Sequence, residues 1–430
     1  MKIDNFNERK ENFRSRDVRI LDFNFSLPED SYHDVYIYYN PQEYHLKCHC
    51  FLNNLALGEI NLFPNEKNAL MGELKLKPGN YTLSIGHIPE DFQIHHIELV
   101  KKEKSNFKFP EFKIRNNLAD SAKKLLEFFE KIYSKYIIAG QHTNTSAGPE
   151  ISYIEYITGK LPALRGFDFL SYSSKIRTEN MTQDAIIEIE GNKGSTEKAI
   201  EWGKDYKGIV TFCWHWYAPS GGRDKTFYTI NTNFDLEEEA LKSGTEENKA
   251  LMLDIDLIAK ELLKLKSADI PVLWRPLHEA DGRWFWWGAK GPKAYKELYY
   301  LLFDILTNKY GLNNLIWIWN APHPDWKIDN EYYDIAGIDN YVPAGNYGPM
   351  KFSFDYLSHL TNYKKPLALT ENGPIPDPDL LFEYESYFLW FMPWFGSFVF
   401  DHNINSKEHL IKVYNHEHVI TLDKFLCYNN

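Results

Sequence analysis

Two glutamates stand where a chain can place chemistry. Glu279 lies in WRPLHEADGRWFWWG, Trp274 to Gly288, where the apolar run Pro271 to Trp274 opens into Arg275, Pro276 and His278 and then into three tryptophans within four residues. Glu371 closes the apolar run of PLALTENG, just before a Gly-Pro turn. Two carboxyls at strand ends can cut a glycosidic bond with retention of configuration. One protonates the leaving oxygen while the other, about 5 to 5.5 Å away, attacks the anomeric carbon. The acid has to stay protonated near neutral pH, which a desolvated site beside aromatic rings favours, and the nucleophile has to be ionised. Glu279, followed closely by Trp284, fits the first role. Glu371, within reach of Tyr341 or Arg275, fits the second. Either glutamate alone could simply solvate a strand end; two in such settings favour chemistry.

The elements that must position them follow a strand-helix rhythm. Eight apolar runs succeed one another: YIIAGQH (136–142), LPALRGFDF (161–169), GIVTFCWHW (208–216), PVLWRPLHE (271–279), NLIWIWNAP (314–322), DIAGIDNY (334–341), PLALTEN (366–372) and WFGSFVFD (394–401). Between them lie helical patterns such as EENKALMLDIDLIAKELLKLKS, PKAYKELYYLLFDILTNKY and DLLFEYESYFLWF. Eight alternating strands and helices imply an α/β fold, a (β/α)₈ TIM barrel with its chemistry at the C-terminal strand ends. His142, Asp168, His215, Glu279, Asn320, Tyr341 and Glu371 should therefore converge on one mouth. His215, Arg275, His278 and Tyr341 would orient a sugar and the nucleophile. Trp214, Trp284, Trp286 and Trp394 are candidates for stacking, with Trp284 ahead of the adjacent Trp286 and Trp287.

Residues 17 to 101 read differently. Seven short alternating or apolar runs, separated by Pro, Gly and Asn turns, suggest a small all-β, jelly-roll-like sandwich before the barrel. LKPGNYTLSIGHIPEDFQIHHIELV resembles the closing hairpin of carbohydrate-binding modules; a structural spacer is the alternative. His95 and His96 do not form a metal pair, because neighbouring strand residues point to opposite faces. The basic stretch Lys101 to Asn117 suits a linker, which divides the chain into a module at 1–112 and a barrel at 113–430.

Composition narrows the partners. Aromatic residues make up 16% of the 430, and flat rings suit the faces of sugars, while a formal charge of -12 argues against nucleic acid or an anionic membrane surface. No apolar run approaches the roughly 18 to 20 residues of a membrane span. The charged N-terminus lacks the apolar core of a signal peptide, leaving a cytoplasmic protein or one whose leader is absent from this sequence. Four cysteines are few, and free thiols are expected. No cofactor or metal is called for: His278 and Glu279 fail the HExxH spacing at Gly282, and Gly221 to Arg223 lacks the Lys-Ser/Thr of a phosphate loop.

With these motifs in view, residues from about 113 onward resemble glycoside hydrolase family 26, best known for β-mannanases. RPLHEADGRWFWWG resembles the family's acid/base motif and LTEN its nucleophile motif, which implies Glu279 and Glu371 in those roles, with His278 helping to hold the acid. CWHWYAP resembles the segment whose histidine, here His215, lines the subsite of the bond being cut. GIDNY resembles the segment carrying the tyrosine near the nucleophile, here Tyr341. Trp284 and an eighth-strand aromatic, Trp394 or Trp390, resemble the sugar-stacking tryptophans. Ala280 and Thr370 depart from the family's usual Met and Ser. The resemblance implies a retaining enzyme acting on a mannan-type polysaccharide, extracellular or at the cell surface, and expected to be monomeric. Lichenase-like and β-1,3-xylanase-like activities, or a non-catalytic polysaccharide-binding protein, are the alternatives. The segment Ala218 to Lys249, after the third strand, would shape the cleft.

Overall fold

The computed structural model describes residues 1–13, 16–144, 147–176, 179, 181–219, 221–222 and 224–429. Ser220 and Arg223, in the cleft-shaping segment and the glycine pair read above, lie outside the described residues.

Among the described residues eight parallel strands follow one another round the barrel, β1 Ile137–His142, β2 Leu164–Asp168, β3 Ile209–Cys213, β4 Val272–Arg275, β5 Leu315–Trp319, β6 Ile335–Asn340, β7 Leu367–Asn372 and β8 Trp390–Phe391, and a ninth short strand, Val419–Ile420, also pairs with β1. Their order in the sheet runs β7-β6-β5-β4-β3-β2-β1-β8. Almost every residue of β1 to β7 is buried, as expected for strands covered on both faces. Pairing of Asp168 with Cys213 and of Cys213 with Arg275 puts those three at one level. A register shift between Ile338 and Asp339 places Asp339 opposite Glu371.

The last strand differs from the expected one. WFGSFVFD holds a short helix, Ser397–Phe400, whereas Trp390–Phe391 pairs with β1, Ile138 opposite Trp390. The helical reading of DLLFEYESYFLWF holds only for Pro378–Glu383. Periodicity cannot separate helix from strand in so continuous an aromatic run; the backbone turn at Glu385, with φ of 58°, ends the helix. Asn372 then closes the barrel. Its N–H donates to the Met392 carbonyl at 3.1 Å, its side-chain oxygen accepts from the Met392 N–H at 2.8 Å, and its carbonyl accepts from the Trp394 N–H at 2.9 Å.

The N-terminal part is an antiparallel sandwich of a four-stranded and a five-stranded sheet. All seven expected runs are strands, and the charged N-terminus adds two more, Lys2–Ile3 and Phe6–Phe13. Phe6–Phe13 has too few apolar residues to announce itself; its partner strand Arg16–Leu27 supplies the hydrogen bonds. Cys48 and Cys50 are free thiols in the sandwich core, and His95 and His96 do diverge, toward Asn40 and the Tyr38 ring. No helix among the described residues is long and apolar enough to cross a membrane.

The sandwich is welded to the barrel helix Lys351–Leu360. Phe352 of that helix belongs to the sandwich core, and Ala56 of the sandwich belongs to the barrel core. The Glu59 and Glu73 N–H groups donate to Ser353 Oγ at 2.9 Å and Asp355 Oδ2 at 2.8 Å. Backbone contact is close enough to demand glycine. A Cβ on Gly58, whose φ is 93°, would lie 2.2 Å from Ser353 Oγ, and one on Gly348 would lie 2.2 Å from the Ala56 carbonyl oxygen. Gly58→Ala should therefore destabilise the protein by about 1–3 kcal/mol, through both the positive φ and the clash. A urea-unfolding midpoint equal to that of the wild type would contradict this account of the interface.

Candidate active site

The site is assembled at the C-terminal ends of β4, β6 and β7. Arg275, the last residue of β4, is buried and reaches across the mouth. Its Nη2 donates to Glu371 Oε1 and its Nη1 to Asp339 Oδ2, the latter at 3.0 Å. The Tyr341 hydroxyl donates to the other Glu371 oxygen at 2.8 Å. Asp339 is held in turn: its Oδ1 accepts from Asn320 Nδ2 at 2.8 Å and from Thr370 Oγ1 at 2.6 Å. Glu279, Asp339 and Glu371 each present an oxygen within 4.8 Å of the others.

The chain reaches Glu279 through a contorted segment. Leu277, Glu279 and Arg283 have φ of 51°, 52° and 59°, a conformation that L side chains adopt only when their surroundings enforce it. Enforcement comes from the Glu279 N–H, which donates to the Asn320 carbonyl at 2.7 Å, and from Trp287 Nε1, which donates to the His278 carbonyl at 2.9 Å. The Glu279 carboxyl accepts from Trp284 Nε1 at 3.0 Å.

Burial raises both glutamates. Glu279 is pushed well above the usual carboxyl range, first by desolvation and then by the nearby Asp339 and Glu371 charges. Glu371 is also raised by burial, but Arg275 and the Tyr341 hydroxyl act against this by favouring its ionised form. Of the two, Glu279 is raised further, since the Arg275 guanidinium and the Tyr341 hydroxyl bond to Glu371 and not to it.

Behind the carboxylates lies a histidine relay. His215 Nδ1 faces Asp168 Oδ2 at 2.5 Å and its N–H donates to Asp168 Oδ1 at 3.0 Å, while its Nε2 faces His278 Nε2 at 3.3 Å. A carboxylate only accepts, so Nδ1 of His215 carries the proton. Burial alone would lower His215; the Asp168 carboxylate raises it above its ordinary value. His278 is driven well below its ordinary value by burial and by Arg275, and stays neutral.

The tryptophans divide. Trp284 is 45% exposed beside Glu279, and Trp394 is half-buried with its ring 5.7 Å from that of His215. These two are open to a ligand. Trp214 is a correction: it is 1% exposed and stacks on Trp216 at 3.9 Å, so its face is not free for a sugar. Trp286 and Trp287 are likewise buried, and Trp390 lies in β8 against Phe129. His142 is buried behind Trp394, with ring centroids 4.1 Å apart, and burial lowers it to about 3. It supports that ring from behind. Asp339 carries no signal of its own in the sequence, although it stands next to last in β6, two residues before Tyr341. Nor does Asp281, which is paired with Lys47 of the sandwich at 3.0 Å.

A model of glycosyl hydrolase family 26 matches residues 114–424. The chain belongs to glycosyl hydrolase family 26. Among family relatives it is 44% identical over 329 residues to a mannan endo-1,4-beta-mannosidase of Thermothelomyces thermophilus, a match covering 73% of this chain and 64% of that protein. It is 32% identical over 391 residues to mannan endo-1,4-beta-mannosidase A of Piromyces sp, covering 88% and 62%. The chain thus spans less than two thirds of the length of these curated relatives. In structure it is similar to a Podospora anserina GH26-CBM35 beta-(1,4)-mannanase, with a TM-score of 0.71 and 29% identity over 100% of this chain and 99% of the other. The N-terminal sandwich fits a carbohydrate-binding-module-like domain in that arrangement.

The electrostatics of the histidine relay can be checked directly. Asp168→Asn removes the charge that raises His215 and leaves burial to lower it, so the imidazole midpoint should fall in histidine-selective NMR. An unmoved midpoint would assign the shift elsewhere.

Proposed function

We propose that this protein is a retaining glycoside hydrolase that cleaves β-1,4-mannosidic bonds in mannan, glucomannan or galactomannan. The observation that carries the reading is the pair Glu279 and Glu371. Their oxygens approach within 4.8 Å, near the separation of about 5 to 5.5 Å used for double displacement and well short of the roughly 6.5 to 9.5 Å that leaves room for a water. Their surroundings also differ in the sense the chemistry needs.

In the proposed mechanism Glu371, kept ionised by Arg275 and Tyr341, attacks the anomeric carbon. Glu279 gives its proton to the departing oxygen, then takes one from water, which releases the sugar from Glu371. Trp284 holds the Glu279 carboxyl and offers a face to the leaving sugar; Trp394 and His215 line the other side, with His278 behind them. The names of the relatives favour mannan over mixed-linkage glucan or β-1,3-xylan as substrate. A product profile on mannan, lichenan and β-1,3-xylan tests that choice.

Glu279→Ala should lower mannan hydrolysis by roughly 10²–10⁴-fold, and Glu371→Ala by at least as much, in folded protein. Activity near wild type in either variant would sink the assignment. Proton NMR should show the β-anomer first; an α-anomer formed first would exclude double displacement. The pH profile has a sign as well. Its acidic limb reports Glu371, and Tyr341→Phe removes a hydrogen bond that favours the carboxylate, so that limb should move to higher pH. A limb that stays put or moves down would contradict the role given to Tyr341.

A further inference from the structure

The catalytic cavity is walled by the sandwich as well as by the barrel. A space of about 680 Å³, within the usual range of small-molecule sites, lies between Glu279, Asp281 and Trp284 on one side and Lys47, His49, Glu59 and Asn61 on the other. The four sandwich residues occupy two neighbouring strands, Leu46–Leu52 and Leu55–Leu62, in which Lys47 pairs with Asn61 and His49 with Glu59. Alternation then fixes their side. Cys48, Cys50, Ile60 and Leu62 point into the sandwich core, so Lys47, His49, Glu59 and Asn61 share the opposite face. That face would ordinarily be solvated, yet here it is partly or wholly covered, because the barrel stands against it.

The face is held in place. Lys47 Nζ donates to Asp281 Oδ2 at 3.0 Å, and the Asp281 side chain is only 3% exposed. The His45 ring stacks on Phe63 and meets His323 of the barrel edge-on at 4.9 Å, and His45 Nε2 lies 2.9 Å from Asn61 Oδ1. With the Gly58 and Gly348 contacts described above, the two domains leave no slack at this edge.

The cavity also has a direction. Glu279 and the Trp284 that grips it are among its walls, and so are Asp339 and Tyr341 beside Glu371, so the cavity begins at the point of cleavage; among the described residues Glu371, His215 and Trp394 do not line it, so it extends from there on the acid's side. In double displacement the leaving sugar departs on the acid's side, away from the nucleophile. We infer that the N-terminal sandwich builds part of the leaving-group subsites, binding the departing end of the polysaccharide through His49, Glu59 and Asn61. This rests on the reading of Glu279 as the acid. The ligand it fits is a neutral hexose: amide, imidazole and carboxylate supply both donors and acceptors for hydroxyls. Glu59, Glu279, Asp281 and Asp339 around one Lys47 disfavour an anionic polymer.

The test uses the full chain. His49→Ala and Asn61→Ala are assayed on mannohexaose, which extends past the scissile bond, and on 4-nitrophenyl β-mannobioside, whose leaving group ends at one ring. The expected result is a loss of kcat/KM on mannohexaose about tenfold greater than the loss on the aryl glycoside, carried mainly by KM. Equal losses on both substrates would assign these residues a structural role and overturn the inference, as would wild-type values on mannohexaose. Wild-type protein that leaves mannohexaose intact would overturn the mannan reading itself, and this inference with it.

Discussion

The Arg275 guanidinium is buried between two carboxylates, Glu371 on β7 and Asp339 on β6, and the site is built outward from that bridge. Three charges removed from water are tolerable only when each is satisfied. The planar fork of arginine can serve two carboxylates at once, which a lysine ammonium does less well. Asn320 and Thr370 complete the shell of Asp339, and Tyr341 completes that of Glu371. The bridge thus ties β4, β6 and β7 together at the level where Glu279 emerges. One guanidinium between two carboxylates leaves a net negative charge, which adds to burial in raising the Glu279 carboxyl above its usual range.

The Leu277 to Arg283 segment beyond that bridge is contorted. Positive φ at three non-glycine residues is unfavourable by itself. It is sustained because Trp286 and Trp287 are buried and hydrogen-bonded, to the Trp216 and His278 carbonyls, leaving Trp284 as the member of the trio that faces outward. A dense tryptophan cluster therefore serves mostly as anchorage. One ring of three is left for recognition.

The sandwich is not a detached appendage. Exchange of Phe352 and Ala56 between the two cores, and backbone contact at Gly58 and Gly348, fix it against the barrel helix that follows β6. Asn340, next to Asp339, donates to the same Ser353 hydroxyl that accepts from the Glu59 N–H, so two hydrogen bonds link the sandwich to the residue beside Asp339.

Much of this was legible in the residues. Apolar runs ending in polar groups specify strands buried on both faces, and such strands with intervening helices specify the barrel; Glu279 and Glu371 were visible because each closes one of those runs. The eighth strand was not, since an unbroken aromatic stretch carries no period and only the turn at Glu385 and the pairing with β1 decide where it lies. Asp339 and Asp281 were ordinary acidic residues until Arg275 and Lys47 were seen to meet them, across 64 and 234 residues of chain. Trp214 looked like a stacking platform until Trp216 covered it. The sequence by itself determined which local segments could bury themselves and which two carboxyls stood at their ends, because those follow from short-range pattern. Only the tertiary structure decided which carboxyl is raised further, which tryptophan is open, and that the far wall of the cavity is the sandwich. Charge coupling, stacking and domain contact depend on distances that no spacing along the chain records.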